Sequence, residues 1–353
     1  MTTNQSFTGY VGTYTKGDSK GIYSFTLDTQ VGRITDVKVV ATVGNPTYVT
    51  VSEDNTMLYA VAKDDELGGV SAYSINRETS ELTELNKQLT EGANPCHVSI
   101  NRQQSLVVTS NYHKGTVESY VVNKDGSLNP AASVIEHTGS GPNQERQEKP
   151  HVHYAGFTPD ENYVIVVDLG IDKVITYRVN EDGTLTEAST LSTTAGSGPR
   201  HLVFHPNGKF AYVMTELSSE VLVLSYNSED GSFTQLQSIL TIPNDFNENN
   251  QGSAIHISSD GQFVYAGNRG HDSIAIFSVN QDNGELTFVD RTHTEGNWPR
   301  DFVLDPTEAF LIASNQESHN LVLYKRDETT GTLQLVQRDV SVPYPVCLKF
   351  LTN

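Results

Sequence analysis

Only two cysteines, Cys96 and Cys347, occur in 353 residues. Two thiols do not make a disulfide framework, so the chain must hold itself together by packing, and a reducing cytoplasm is the expected compartment. Basic residues are scarce: 23 Lys and Arg stand against 43 Asp and Glu, a net charge of −20. That excess argues against nucleic acid and anionic membrane as partners. No apolar run reaches the length of a membrane-spanning helix. The opening MTTNQSFTGYVGTYT has no basic stretch followed by an apolar one, so no secretory signal is expected. Helical periodicity of useful length is missing too. Most of the acidic charge reads as a solvated surface, and a monomer or weak homo-oligomer is expected. An anionic ligand would need a local cluster of Arg, Lys or His.

What the chain does have is repetition. The stretch GPRHLVFHPNGKFAYVMTEL, residues 198–217, holds two short apolar runs around the turn-forming His205-Pro206-Asn207-Gly208-Lys209. It reads as a hairpin with Arg200 and His201 opening one strand and Glu216 closing the other, so Arg200 and Glu216 should share one end. The first strand recurs from Pro46, Pro95, Val152, Pro199, Gly252, Pro299 and Pro345, seven copies roughly 45–55 residues apart, the spacing of propeller blades. Second and third strands follow in register. Asp125-Gly126, Asp182-Gly183, Asp230-Gly231, Asn283-Gly284 and Thr330-Gly331 then turn the chain into a more polar fourth strand.

The two ends complete each other. The N-terminus begins with a second strand, Tyr10 to Tyr14, and lacks a first; the C-terminus, Pro345 to Leu351, is a lone first strand. Joined, they make one blade, which closes the ring and leaves only short edges. The expected fold is all-β: a seven-bladed β-propeller of four-stranded antiparallel blades. It forms a single domain over residues 1–353, with 139–150 and 243–252 as loops inside the ring.

A repeat lets departures be read position by position. The slot after the opening Pro or its equivalent reads Thr47, Cys96, His153, Arg200, Ser253, Arg300 and Val346. Three copies carry His or Arg where the others carry small or neutral side chains. At the end of the second strand, Glu216 falls opposite Arg269, Leu169, Tyr112 and Gln316. His153, Arg200, Glu216 and Arg269 should therefore converge near one mouth of the channel. Singly, such residues are more often surface ion pairs; four from three consecutive blades facing one axis are more than that.

Arg300, His151, His201 and His256 are secondary candidates for substrate binding. His97 and His201 also read as core histidines bonded to carbonyls, and His151 as the end of a loop. Asn111, Asp168, Asn268 and Asn315 form a column read as loop anchors. His151 and His153 have no third ligand at a convincing spacing, so no metal site is expected.

The segments PHVHYAGFTPD, GPRHLVFHPNGKFAYVMTEL, AIHISSDGQFVYAGNRG and NWPRDFVLDP resemble the propeller-type lactonase family, which takes in 6-phosphogluconolactonases and muconate lactonising enzymes. The likeness covers essentially the whole chain. It implies metal-independent lactone chemistry without a cofactor, on a small anionic sugar lactone or similar acid. It also matches the family's histidine, arginine, glutamate and second arginine to His153, Arg200, Glu216 and Arg269, the last on the NRG segment alone. The residue types suit that chemistry: arginines for an oxyanion and an anionic group, and His153 ahead of Glu216 as base, since arginines should depress a glutamate's pKa. Lactonisation of another acid and a non-catalytic binding propeller remain alternatives.

Overall fold

The computed structural model describes residues 5–352. Among them there are seven four-stranded antiparallel sheets and no helix. Six are meanders of consecutive strands: blade 1 over residues 49–91, then blades 2 (97–136), 3 (152–192), 4 (199–240), 5 (251–293) and 6 (299–341). Blade 7 is built from both ends of the chain, with Pro345–Phe350 innermost, then Ser6–Thr13, Gly21–Asp28 and Arg33–Thr42. Val11 pairs with Leu348 and Gly9 with Phe350. The N-terminal strand starts four residues earlier than the sequence indicates, because Ser6 to Gly9 extend its pairing with the next strand.

Each blade is apolar on both faces, so its core forms against its neighbours. Seven buried clusters fill the seven blade interfaces. The closing interface packs Phe25, Leu348 and Phe350 of blade 7 against Phe310, Ile312 and Leu323 of blade 6. Polar latches fix the angle between blades: the Tyr59, Tyr212 and Tyr265 hydroxyls donate to the carbonyls of Gly126, Gly284 and Gly331 in the following blade at 2.9, 3.0 and 2.9 Å. Those glycines sit at φ 87°, 77° and 73°, which the tight turns require. The outermost strands are mostly exposed on alternate residues, and the sheets shift register beside them, as at Thr176/Tyr177 and Ile276/Phe277.

The inner strands surround the channel, and their irregularity positions the site. Pro199 pairs with Thr215 but His201 with Met214, so Arg200 is an extra, unpaired residue. The same β-bulge leaves out His153, Arg300 and Val346, and one residue of Gly252–Ile255. In blades 1 and 2 the regular ladder starts only at Val49 and His97, later than the sequence indicates, after Thr47 and Cys96. The slot recognised by its residue types is thus a bulge position. A bulge re-aims a side chain that strict alternation would send elsewhere. Arg200 and His201, adjacent in sequence, accordingly both face the same constriction of the channel.

Candidate active site at one mouth of the channel

One mouth opens into a cavity of about 290 Å³, lined among others by Tyr112, Arg146, His153, Glu216, Arg269 and Arg300. Glu216 is its centre. The residue follows the second strand of blade 4, and its backbone is pinned on both sides: its N–H donates to Gly198 O at 2.7 Å, and its carbonyl accepts from Gly252 N–H at 3.0 Å. Gly252 must be glycine, since a Cβ there would lie 2.2 Å from Thr215 O.

Three guanidiniums grip the Glu216 carboxylate. Arg269 Nη2 donates to Oε2 at 2.6 Å and to Gly252 O at 2.7 Å. Arg200 Nε lies 3.0 Å from the same oxygen, an ion pair outside hydrogen-bonding geometry. Arg146 Nη2 donates to Oε1. Burial alone would raise the Glu216 carboxyl, but Arg269 and Arg200 outweigh it and hold it well below the usual range, fully ionised. Burial, then Arg269 and Arg300, pull the Arg200 guanidinium down to about 9, so it stays charged at neutral pH. Arg200 is only 2 % exposed, yet its Nε and Nη1, like Arg269 Nε, have no hydrogen-bond partner within the protein. Buried donors left open in this way are primed for an acceptor carried by a ligand.

His153 occupies the bulge of blade 3. Its Nδ1 lies 3.9 Å from Cys96 Sγ, and Tyr112 meets its ring edge-on at 5.7 Å. Burial, followed by Arg200, keeps its pKa well below 6.5, so the imidazole is neutral. Burial pushes the Cys96 thiol up to about 11, which makes it an inert wall rather than a nucleophile. Arg300 completes the cluster, its guanidinium 5.5 Å over the Tyr14 ring. It has no ion pair or hydrogen bond among the described residues. In a protein of net charge −20, four guanidiniums against one carboxylate make this mouth locally cationic.

The structure brings His153, Glu216, Arg269 and Arg300 together on the mouth cavity, with Arg200 against Glu216 on the neck just below. It does not bring the other three candidates to this cavity. His151 stacks on Tyr112 at 4.1 Å and is held by Tyr112 O and Glu148, so it props the rim. His201 lies in the constriction below, with Nε2 unpartnered. His256 sits beyond it, 3.4 Å from Asp301. His97 is a buried histidine bonded to the Ala155 backbone, as expected of a core histidine, with Nδ1 left without a partner; His201 Nε2 has no partner either. The polar column does anchor loops, Asp168 accepting from the backbone of His151 and Gly170 and bonding His137. Among the described residues, no group of three or more His, Cys, Asp or Glu is placed to hold a metal ion. Arg146 is the residue that sequence reasoning missed. It lies in the 137–151 loop, the longest of the connections between one blade's outer strand and the next blade's inner strand, so alignment of the strand repeat could not reach it.

A seven-bladed propeller with a carboxylate clamped by arginines at one mouth belongs among propellers with a polar, cation-lined channel entrance. The family model described as "Lactonase, 7-bladed beta-propeller" matches residues 8–350, and the chain belongs to that family. It is 59 % identical over 345 residues to the 6-phosphogluconolactonase of Bacillus subtilis (strain 168), covering 98 % of each chain. A crystal structure of a Lactobacillus plantarum protein superposes with a TM-score of 0.94 at 44 % identity, covering 98 % of this chain and 99 % of that one. The periplasmic gluconolactonase of Pseudomonas aeruginosa gives 0.93 at 32 % identity, with the same coverage.

Proposed function

We propose that this protein hydrolyses 6-phosphogluconolactone to 6-phosphogluconate, the step that opens the lactone in the pentose phosphate pathway, in the cytoplasm and with side chains alone. The observation that carries the reading is the mouth itself: open guanidinium donors around one ionised glutamate and one neutral histidine. The similarity to the Bacillus subtilis protein supports the substrate, and two free thiols suit a reducing compartment.

The roles divide by exposure and partnership. Arg300, without a partner, and Arg146, the most exposed of the arginines on Glu216, take the phosphate, as guanidiniums do bidentately. Arg200 and Arg269 aim their open donors at the lactone carbonyl, where negative charge develops. His153 is the base. It takes a proton from the attacking water while the carbonyl becomes a tetrahedral oxyanion. On collapse the ring C–O bond breaks, the imidazolium returns that proton to the leaving oxygen, and the new carboxylic acid ionises to solvent. A neutral imidazole held below its usual pKa is available but weak; the phosphate dianion, arriving at Arg300, offsets part of the positive field on the ring and restores basicity. Glu216 stays ionised and orients the arginines.

The test is the initial rate with freshly prepared 6-phosphogluconolactone against gluconolactone, each corrected for spontaneous hydrolysis. A kcat/KM at least about a hundredfold higher for the phosphorylated lactone is expected, two guanidinium contacts at about 1.5–3 kcal/mol each. A preference for gluconolactone, the substrate in the name of the Pseudomonas relative, would move the reading to unphosphorylated lactones. No acceleration of either would leave a binding propeller.

A further inference from the structure

The channel has a second chamber. Beneath the mouth it narrows to a neck of about 10 Å³ between Tyr48, Arg200, His201 and Asp301, room for about one water. Beyond the neck it widens again to about 200 Å³ at the opposite end of the ring. A substrate held at the mouth cannot pass the neck, so this chamber is not part of the catalytic pocket.

Departures from the repeat mark this chamber as they mark the mouth. Three residues along each inner strand from the bulge slot, the seven copies read Thr50, Ser99, Gly156, Val203, His256, Val303 and Lys349. Five are small or apolar; His256 and Lys349 depart, and both line the lower chamber. Lys349 is half-buried, with its ammonium 5.2 Å from the Tyr48 ring centre, and no carboxylate lies within ion-pair distance of it among the described residues. Asp301, on the neck, is already engaged: one oxygen accepts from Leu348 N–H at 2.8 Å and the other faces His256 Nε2 at 3.4 Å. The roof of the chamber is an imidazole and phenol cluster. His97 lies 4.1 Å from Tyr48, 4.6 Å from Tyr154 and 5.5 Å from His201, ring centre to ring centre. His97 and His201 are 2 % and 7 % exposed, and His97 Nδ1 and His201 Nε2 have no partner in the protein. Buried polar atoms left open on a chamber wall call for a polar ligand.

We propose that this lower chamber is a second oxyanion site, distinct from the catalytic mouth, that takes a phosphate group, free or carried on a sugar acid, on Lys349 with the imidazoles of His97, His201 and His256. Among the described residues, Lys349 is the only Lys, Arg, Asp or Glu on the wall. The tyrosine hydroxyls and imidazole N–H groups supply directional donors, the combination that oxyanions need. The site does not rest on the proposed lactone chemistry, since it can be read without turnover.

The test is histidine-labelled NMR of the intact protein during titration with inorganic phosphate, and separately with 6-phosphogluconate. Saturable shifts of His97 and His256 are expected. Lys349→Met should weaken them at least tenfold while His153 still responds and turnover is unchanged; Lys349→Arg should retain them. Tighter saturation by inorganic phosphate identifies the free ion as ligand, and tighter saturation by 6-phosphogluconate the sugar acid. Shifts absent with both, or undiminished in folded Lys349→Met, overturn the site. Should Lys349→Met not fold, crystals of the unaltered protein soaked in selenate decide it: anomalous density beside Lys349 upholds the site, and density confined to the mouth overturns it.

Discussion

Two arcs of the inner-strand slot ring the channel at equivalent positions of the repeat. Blades 3, 4 and 6 place His153, Arg200 and Arg300 there; blades 7, 1 and 2 place Val346, Thr47 and Cys96. Val346 is left out of its ladder just as Arg200 is. The bulge therefore belongs to the scaffold, and the chemistry belongs to the side chains that depart from the repeat. One arc is a wall and the other a cluster of ionic groups around Glu216. At Val346 and Arg200, where the backbone is the same, the difference lies in the side chain, so single substitutions should separate the two arcs.

The largest effect is expected on the charged arc. His153→Ala should lower kcat by roughly 100- to 10,000-fold, the usual worth of a general base, with product affinity nearly unchanged. The sign of the pH dependence follows from its depressed pKa. Free-enzyme activity should fall only as pH drops through a value well below 6.5, where the imidazole protonates, and the variant should lack that limb. Ordinary turnover per folded molecule would erase the distinction between the arcs.

Next is Glu216→Gln. It keeps size and removes charge, leaving Arg200 and Arg269 buried without their counter-ion. Breaking a buried ionic cluster from one side costs about 3–5 kcal/mol, to be read from urea unfolding. An unchanged midpoint would mean that the clamp is solvated rather than structural.

Arg300→Ala should act on KM. Loss of a charged hydrogen bond to the phosphate, about 1.5–3 kcal/mol, corresponds to roughly ten- to a hundredfold weaker binding of 6-phosphogluconate by calorimetry. Unaltered affinity would shift the phosphate to Arg146. The smallest effect belongs to the other arc. Thr47→Ser removes one methyl group from the wall and should leave kcat and KM within about twofold, at a stability cost below about 1.5 kcal/mol. A large kinetic loss there would show that the neutral arc also takes part.

How much of this was legible in the residues depended on whether they repeat. The seven first-strand copies and the unmatched strands at the two ends were enough to read the blades and their closure, because blade packing requires the same apolar pattern seven times. The slot holding His153, Arg200 and Arg300 was visible for the same reason. Arg146 was not, since it reaches Glu216 from a connection too long to align with those of the other blades. His256 is a repeat departure too, but it lies three residues past the bulge and therefore points into the other chamber. His151 adjoins the site in sequence, yet its ring is turned onto Tyr112. The depth of a side chain along the channel depends on the bulge register, which residue types alone do not carry.

The most direct measurement is the rate of 6-phosphogluconolactone hydrolysis by Arg200→Ser, which gives blade 4 the residue that blade 5 carries at the same slot. Arg146 and Arg269 still hold Glu216 in that variant, so it should melt as a folded propeller. A loss of roughly a hundredfold or more in kcat is expected, the scale of removing one oxyanion donor. A folded Arg200→Ser protein that turns over at the unaltered rate would contradict it.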